Sequence, residues 1–233
     1  MFCPNCGSKL SDDSTFCPNC GTKIEQQHNP NNGPDLTKDF SKIVVECIKN
    51  PIKEISNLKE TLSDTNNYIY LGILALIIPF LITISLKFFT PRIARVIPFH
   101  EIFLSSLINL VVFYGIMLFL IFAIYKFIFK EELRLQDFLK VVLAALIVKG
   151  AFILIQFLVS IISFKFSIAI YIVGSMASIL ILYSGFKEIV KDSNKLLYTF
   201  SGSYLVAIFF ANYIIAKIIM INIVSLFIGS IFY

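Results

Sequence analysis

Tryptophan is absent from this 233-residue chain, histidine occurs twice, and Asp, Glu, Lys and Arg together make up only 15% of it. Soluble globular domains carry about a quarter charged residues. With 57% hydrophobic residues and a mean hydropathy of +0.82, that shortage excludes a soluble enzyme and a disordered chain. Cysteine is scarce too: there are five, four of them within the first 20 positions, which excludes a secreted disulfide miniprotein. The scarcity of charge is uneven. Residues 1–65 are dense in Lys, Asp and Glu, whereas from Tyr68 onward charges form short clusters between apolar runs of membrane-spanning length. Phenylalanine and tyrosine are plentiful, at 24 and 10, and suit lipid-facing or helix-packing surfaces. The expected fold class is an all-α, multi-pass membrane helical bundle of about five spans, preceded by a small polar head.

Within the apolar runs there is no Asp or Glu, no His-Glu-x-x-His and no Gly-x-Ser-x-Gly. Intramembrane hydrolysis needs a carboxylate pair, a metal triad or a serine-base dyad at depth. No enzyme is expected.

The head is an internal duplication. Phe2-Cys3-Pro4-Asn5-Cys6-Gly7-Ser8-Lys9 is nearly repeated 14 residues later as Phe16-Cys17-Pro18-Asn19-Cys20-Gly21-Thr22-Lys23. Each Cys-x-x-Cys-Gly unit is a knuckle that points two thiolates at one metal. Gly7 and Gly21 can take the positive φ that aims backbone N–H groups at sulfur. Together Cys3, Cys6, Cys17 and Cys20 form the four-sulfur tetrahedral set that Zn²⁺ prefers in structural sites. Residues 2–23 resemble the bacterial zinc-ribbon family, and both knuckles match in full.

Two disulfides are the alternative. Ligand spacing, a proline within each pair and the lack of a signal peptide oppose them. A redox Cys-x-x-Cys occurs singly, at a helix start in a βαβ setting. With four protein ligands the zinc has no open coordination position, so its role is structural. About 22 residues bury little core, and the metal supplies most of the unit's folding free energy. The loop between the knuckles carries Lys9, Asp12 and Asp13 and no basic-aromatic patch. Nucleic acid is therefore disfavoured as a partner, and a small protein-docking or stability module is favoured.

Residues 25–34 read as a flexible Pro/Gly/Asn-rich linker after the ribbon at 1–24, with His28 isolated and solvated. Residues 35–65 read as two juxtamembrane amphipathic helices. The first places Leu36, Phe40, Ile43, Val44, Cys47 and Ile48 on one face. Asn50-Pro51 ends it and opens the second, with Asn50 as N-cap and Pro51 at the first helical position. That helix aligns Ile52, Ile55, Leu58 and Leu62. The pair is expected to lie in the cytoplasmic interface or to pack under the bundle. Cys47 reads as a small buried hydrophobe, with palmitoylation as the lesser alternative.

The bundle, residues 66–233, contains five apolar runs: Tyr68–Leu86, Ile102–Ile128, Phe138–Ile162, Phe166–Phe186 and Leu197–Lys217. Each can cross a hydrocarbon core of about 30 Å at about 1.5 Å per residue. The tail Ile218–Tyr233 is apolar but short for a sixth span, and no turn signal separates it from the fifth; six spans stay open as an alternative. With the N-terminus inside, twelve Lys and Arg flank the inner ends and five the outer ends. The bias places the N-terminus in the cytoplasm of a cell-membrane protein, where the thiolates stay reduced. The first outer loop, Lys87–Glu101, departs from the bias through Lys87, Arg92 and Arg95; His100-Glu101 are helix neighbours that do not face each other.

Three details mark the bundle interior. Pro79 is expected to kink the first span. Gly174-x-x-x-Ser178 in the fourth span, and Ser203, Ala207 and Ala211 in the fifth, are small-residue stripes that allow close backbone approach. In the third span Ala145, Lys149, Gln156, Ser160 and Ser163 form a rough polar face. A lysine at this depth costs about 3 kcal/mol on insertion scales. Lys149 and Gln156 are therefore the candidate intramembrane polar site, for an anionic group or simply for bonds within the bundle.

The layout resembles bacterial membrane proteins carrying a Yip-type (Rab-GTPase-interacting) domain. The residues that carry the likeness are Lys49-Asn50-Pro51-x-Lys53-Glu54 before the first span and the short loop Lys187–Lys195 before the last, over about residues 45–220. It implies a five-helix membrane bundle. Eukaryotic members act in vesicle trafficking through small GTPases; the bacterial members have no settled activity, and the family brings no catalytic residues. The expected function is a non-enzymatic membrane scaffold or adaptor whose zinc ribbon binds a protein partner. Alternatives are a small transporter or channel using Lys149 and, more weakly, a membrane-tethered nucleic-acid-binding regulator.

Overall fold

A computed structural model describes residues 5–6, 8, 18–21, 36–89, 97–191 and 193–231, with side chains over 5–6, 8, 18–21, 40–87, 97–191 and 194–217. The chain divides into two compact units, Met1–Asp39 and Phe40–Tyr233. Seven α-helices and no strand occur among the described residues: α1 Leu36–Lys49, α2 Pro51–Thr61, α3 Asp64–Phe89, α4 Phe99–Ala123, α5 Leu135–Ile162, α6 Phe164–Lys187 and α7 Ser193–Ile231. A π-helical turn, Ile124–Ile128, extends α4. Five segments are long and apolar enough to cross a bilayer: Asp64–Lys87, Phe99–Ile128, Leu135–Ile162, Phe164–Lys187 and Asn194–Lys217. All five expected spans are present.

The junctions follow from local chemistry. The Asn50 side chain accepts from the Lys53 N–H at 3.4 Å with Pro51 opening α2, so the elbow between α1 and α2 is a capped restart. Ser63 does the same for α3, accepting from the Asn66 N–H at 3.3 Å. Only Ser163 separates α5 from α6; its extended backbone at φ −153° ends one helix and starts the other. Through Pro79, α3 runs as one element, and the Thr83 hydroxyl donates to the Pro79 carbonyl at 2.7 Å. Nor does α7 break after Lys217: the tail continues the fifth helix as far as Ile231, and no separate sixth helix follows among the described residues.

At the centre stands α5. Lys140 and every residue from Val141 to Val148 are buried, more than two full turns, so no face of this stretch is left for solvent or lipid. It packs against α6 and α3 along its length and against α2 near its start; α7 packs chiefly along α4. Gly185 makes the junction of α2, α5 and α6 close. A Cβ there would lie 2.5 Å from Val141 Cγ1 and 2.9 Å from Ile55 Cδ1. At the same end, Phe138 of α5 meets Phe122 of α4 at 5.8 Å and Phe186 of α6 at 5.2 Å. Phe200 of α7 closes the cluster at 6.3 Å from Phe186.

The juxtamembrane helices pack on the bundle. Cys47, Ile55, Leu58 and Leu62 are buried in its core, and the Phe40 ring lies 4.7 Å from that of Tyr70. The expected apolar faces need one correction: Ile48 and Ile52 are 53% and 45% exposed. Cys47 in α1 and Ile55, Leu58 and Leu62 at and after α2 take the side that faces the bundle, which leaves Ile48 and Ile52, on either side of the Asn50 restart, outside it.

Candidate functional site

In the head, Cys6 and Cys20 are described and exposed; Cys3, Cys17, Gly7 and His28 lie outside the described residues. Cys6 Sγ is 3.1 Å from Ser8 Oγ, and the Asn19 amide of the second knuckle donates to it at 3.9 Å. The two knuckles are thus adjacent. Gly21 has φ +68° with open space where a side chain would stand, as expected of the residue that turns a knuckle's backbone toward its sulfurs. An exposed cysteine sulfur with a hydroxyl and an amide donor beside it, and a left-handed glycine after the second pair, fit a zinc thiolate set. Among the described residues no three His, Cys, Asp or Glu cluster, two of the four thiols being outside them.

The polar face of α5 resolves into separate attachments. Lys149 Nζ sits 5.4 Å from the centre of the Tyr114 ring on α4, a cation–π contact that gives an ammonium at bundle depth a partner. The Tyr114 hydroxyl is 2.9 Å from Ser178 Oγ on α6. Seven residues on, Gln156 donates to Ser85 Oγ of α3 at 2.7 Å, while its buried Oε1 has no hydrogen-bond partner among the described residues. Ser160 donates to its own helix at the Phe157 carbonyl, 2.6 Å away, and Ala145 is fully buried. Lys149 and Gln156 therefore address different helices. The rough polar face expected from sequence resolves into two interhelical contacts, at Lys149 and Gln156, and an intrahelical bond at Ser160.

The small-residue stripes lie where the expectation put them. A Cβ on Gly174 would collide with Phe152 of α5, Ser178 is buried against Tyr114, and Ser203, Ala207 and Ala211 form a buried stripe on α7. His100 is exposed in the first turn of α4.

Sequence reasoning missed Lys140. Counted only as a loop charge, it is 4% exposed, donates to the Lys59 carbonyl at 3.2 Å and lies 3.7 Å from Asp64 Oδ1. One side chain of the central helix thus holds the end of α2 and the start of α3. Around it the connections interlock. The Glu131 carboxylate accepts from the Lys191 N–H at 3.0 Å, Ser56 donates to Glu188 at 3.1 Å, and Lys195 Nζ lies 4.7 Å from the Phe129 ring centre.

Residues 2–24 match the zinc-ribbon domain family. No curated protein and no solved structure matches the chain. A zinc ribbon at the N-terminus is thereby joined to a helical unit with five segments of membrane-spanning length.

Proposed function

We propose that this chain is a non-enzymatic integral membrane adaptor: a multi-pass bundle, with its N-terminus cytoplasmic, whose single structural zinc holds a ribbon that binds a protein partner. The carrying observation is the joining of a zinc ribbon to a bundle with aliphatic and aromatic outer faces. Leu76, Phe119, Leu158, Leu180 and Leu205 are each more than half exposed. A soluble bundle would place polar residues there. The Yip-type likeness to bacterial membrane proteins fits the five-helix count and the Asn50-Pro51 elbow.

A transporter built on Lys149 and Gln156 is the second reading, favoured by the partnerless Gln156 Oε1. The two readings separate in one pair of variants. Under the adaptor reading, deleting residues 1–25 abolishes partner recovery after crosslinking in native membranes, and Lys149→Leu leaves it unchanged. Loss of solute flux in proteoliposomes on Lys149→Leu, with the head dispensable, would reverse the choice.

A further inference from the structure

The elbow between α1 and α2 turns one apolar side into the core and keeps another outside. Val45, Ile48 and Ile52 are 47%, 53% and 45% exposed, although three large aliphatics within eight residues of an amphipathic pair would normally be covered. Their neighbours are basic. Lys42, Lys49 and Lys53 are all exposed; of the two carboxylates among and beside them, Glu46 pairs with Lys49 at 3.4 Å and Glu54 accepts from the Asn57 amide at 3.0 Å.

The depth of the elbow says what covers this side. Outward apolar residues of α3 begin at Tyr68 and Ile69, and the Phe40 ring of α1 packs on Tyr70, just inside that band. In α2, Ile55 meets the Val141–Gly185 junction, which lies six residues, about 9 Å, into α5. Both helices therefore stand level with the first turns of the spans, where hydrocarbon gives way to headgroups, a layer about 5–8 Å thick on each side. A helix at this depth with aliphatic residues outward and lysines beside them matches the amphipathic pattern of anionic-lipid binding.

We infer that the outer side of the α1–α2 elbow binds the anionic lipid surface of the leaflet on the N-terminal side, with Val45, Ile48 and Ile52 inserted and Lys42, Lys49 and Lys53 on the headgroups. This rests on reading α3 to α7 as membrane-spanning, and it gives the proposed adaptor a lipid preference.

The test uses the absence of tryptophan. Ile48→Trp and, as a water-facing control, Asn57→Trp are each introduced into the full chain. Each is reconstituted into phosphatidylcholine vesicles with or without one third phosphatidylglycerol, doped with lipid brominated near the headgroup. The expected result is blue-shifted emission from Ile48→Trp, quenched about twofold or more in the anionic vesicles, and solvent-like, unquenched emission from Asn57→Trp. In the Ile48→Trp chain, added salt weakens the dependence on phosphatidylglycerol, and Lys→Gln at 42, 49 and 53 together removes it. Blue-shifted but unquenched emission means that protein, the ribbon or a partner, covers the elbow, and overturns the inference. So does solvent-like emission in both lipids, and equal quenching in both removes the anionic preference. Alkali-resistant incorporation of the parent chain tests the spans separately: failure there overturns the membrane reading itself, whereas incorporation with an unquenched tryptophan overturns only the lipid contact.

Discussion

Lys140 Nζ and Asp64 Oδ1 are 3.7 Å apart, and the same ammonium donates to the Lys59 carbonyl at 3.2 Å. The lysine is buried and the aspartate is partly open to solvent. The asymmetry decides which partner matters more. Asp64→Ala leaves a buried ammonium with one neutral acceptor, and a loss of about 1–2 kcal/mol is expected, below the range for a fully buried pair because Asp64 is solvated. Lys140→Met removes the buried charge, fills similar space and leaves Asp64 open to solvent, so it is expected to cost less than Asp64→Ala. Thermal unfolding of both variants in one detergent checks the order, and a larger loss for Lys140→Met would show that its contacts with Lys59 and Asp64 outweigh the cost of burying the charge.

Gly185 carries a second prediction, about packing. The added methyl of Gly185→Ala would stand 2.5 Å from Val141 Cγ1 and 2.9 Å from Ile55 Cδ1, so the helices must separate. Overpacking of this kind costs about 1–3 kcal/mol. Val141→Ala in the same chain removes the nearer atoms, and the double variant should recover part of the loss. A double-mutant cycle on the unfolding midpoint measures the coupling; additive losses would show that the contact does not limit the approach of α5 and α6.

The limits of the sequence are visible in α5. Its existence was legible, as were the Asn50-Pro51 elbow, the knuckle turn at Gly21 and the buried stripes on α6 and α7, because each rests on local chemistry or helical period. Its central place was not: all five runs are predominantly apolar, so hydropathy does not distinguish a helix facing lipid from one facing other helices. Lys140 was hidden for the same reason. A lysine three residues inside a span's edge looks like a flanking charge until the neighbouring α2–α3 junction is seen to close over it. Lys149 and Gln156 stand out in the sequence as polar residues within an apolar run, yet their spacing says nothing of which helix each meets.

Cys47 makes the third prediction. Burial, and secondarily the charge of Glu54, push its thiol from 9.0 up to about 12. The folded protein then holds the proton more tightly than the unfolded chain. The stabilisation is complete below pH 9.0 and falls away as pH rises toward about 12. At neutral pH maleimide should modify Cys47 only after denaturation, and Cys47→Ser should weaken the alkaline loss of stability. Rapid labelling of the native protein at Cys47 would show that α1 leaves its place on the bundle.

The zinc prediction follows from where the metal's free energy goes. The ribbon has about 22 residues and little core, so on the proposed reading the four sulfurs of Cys3, Cys6, Cys17 and Cys20 hold it through the metal. Cys6 and Cys20, the two that are described, are exposed, and all four lie in the unit Met1–Asp39. The two units should therefore respond independently. Full-length protein should carry one zinc ion per chain by elemental analysis, and Cys20→Ser, leaving three thiolates, should lose most of it. Chelation should open residues 1–24 to proteolysis while the thermal midpoint of the helical unit stays within error. Acidification should release the metal as well, because thiolates must be deprotonated to bind, and release should rise as pH falls. A bundle midpoint that dropped on chelation would show that the zinc ribbon braces the helices directly, and the ribbon would then be a structural part of the bundle as well as the proposed docking head.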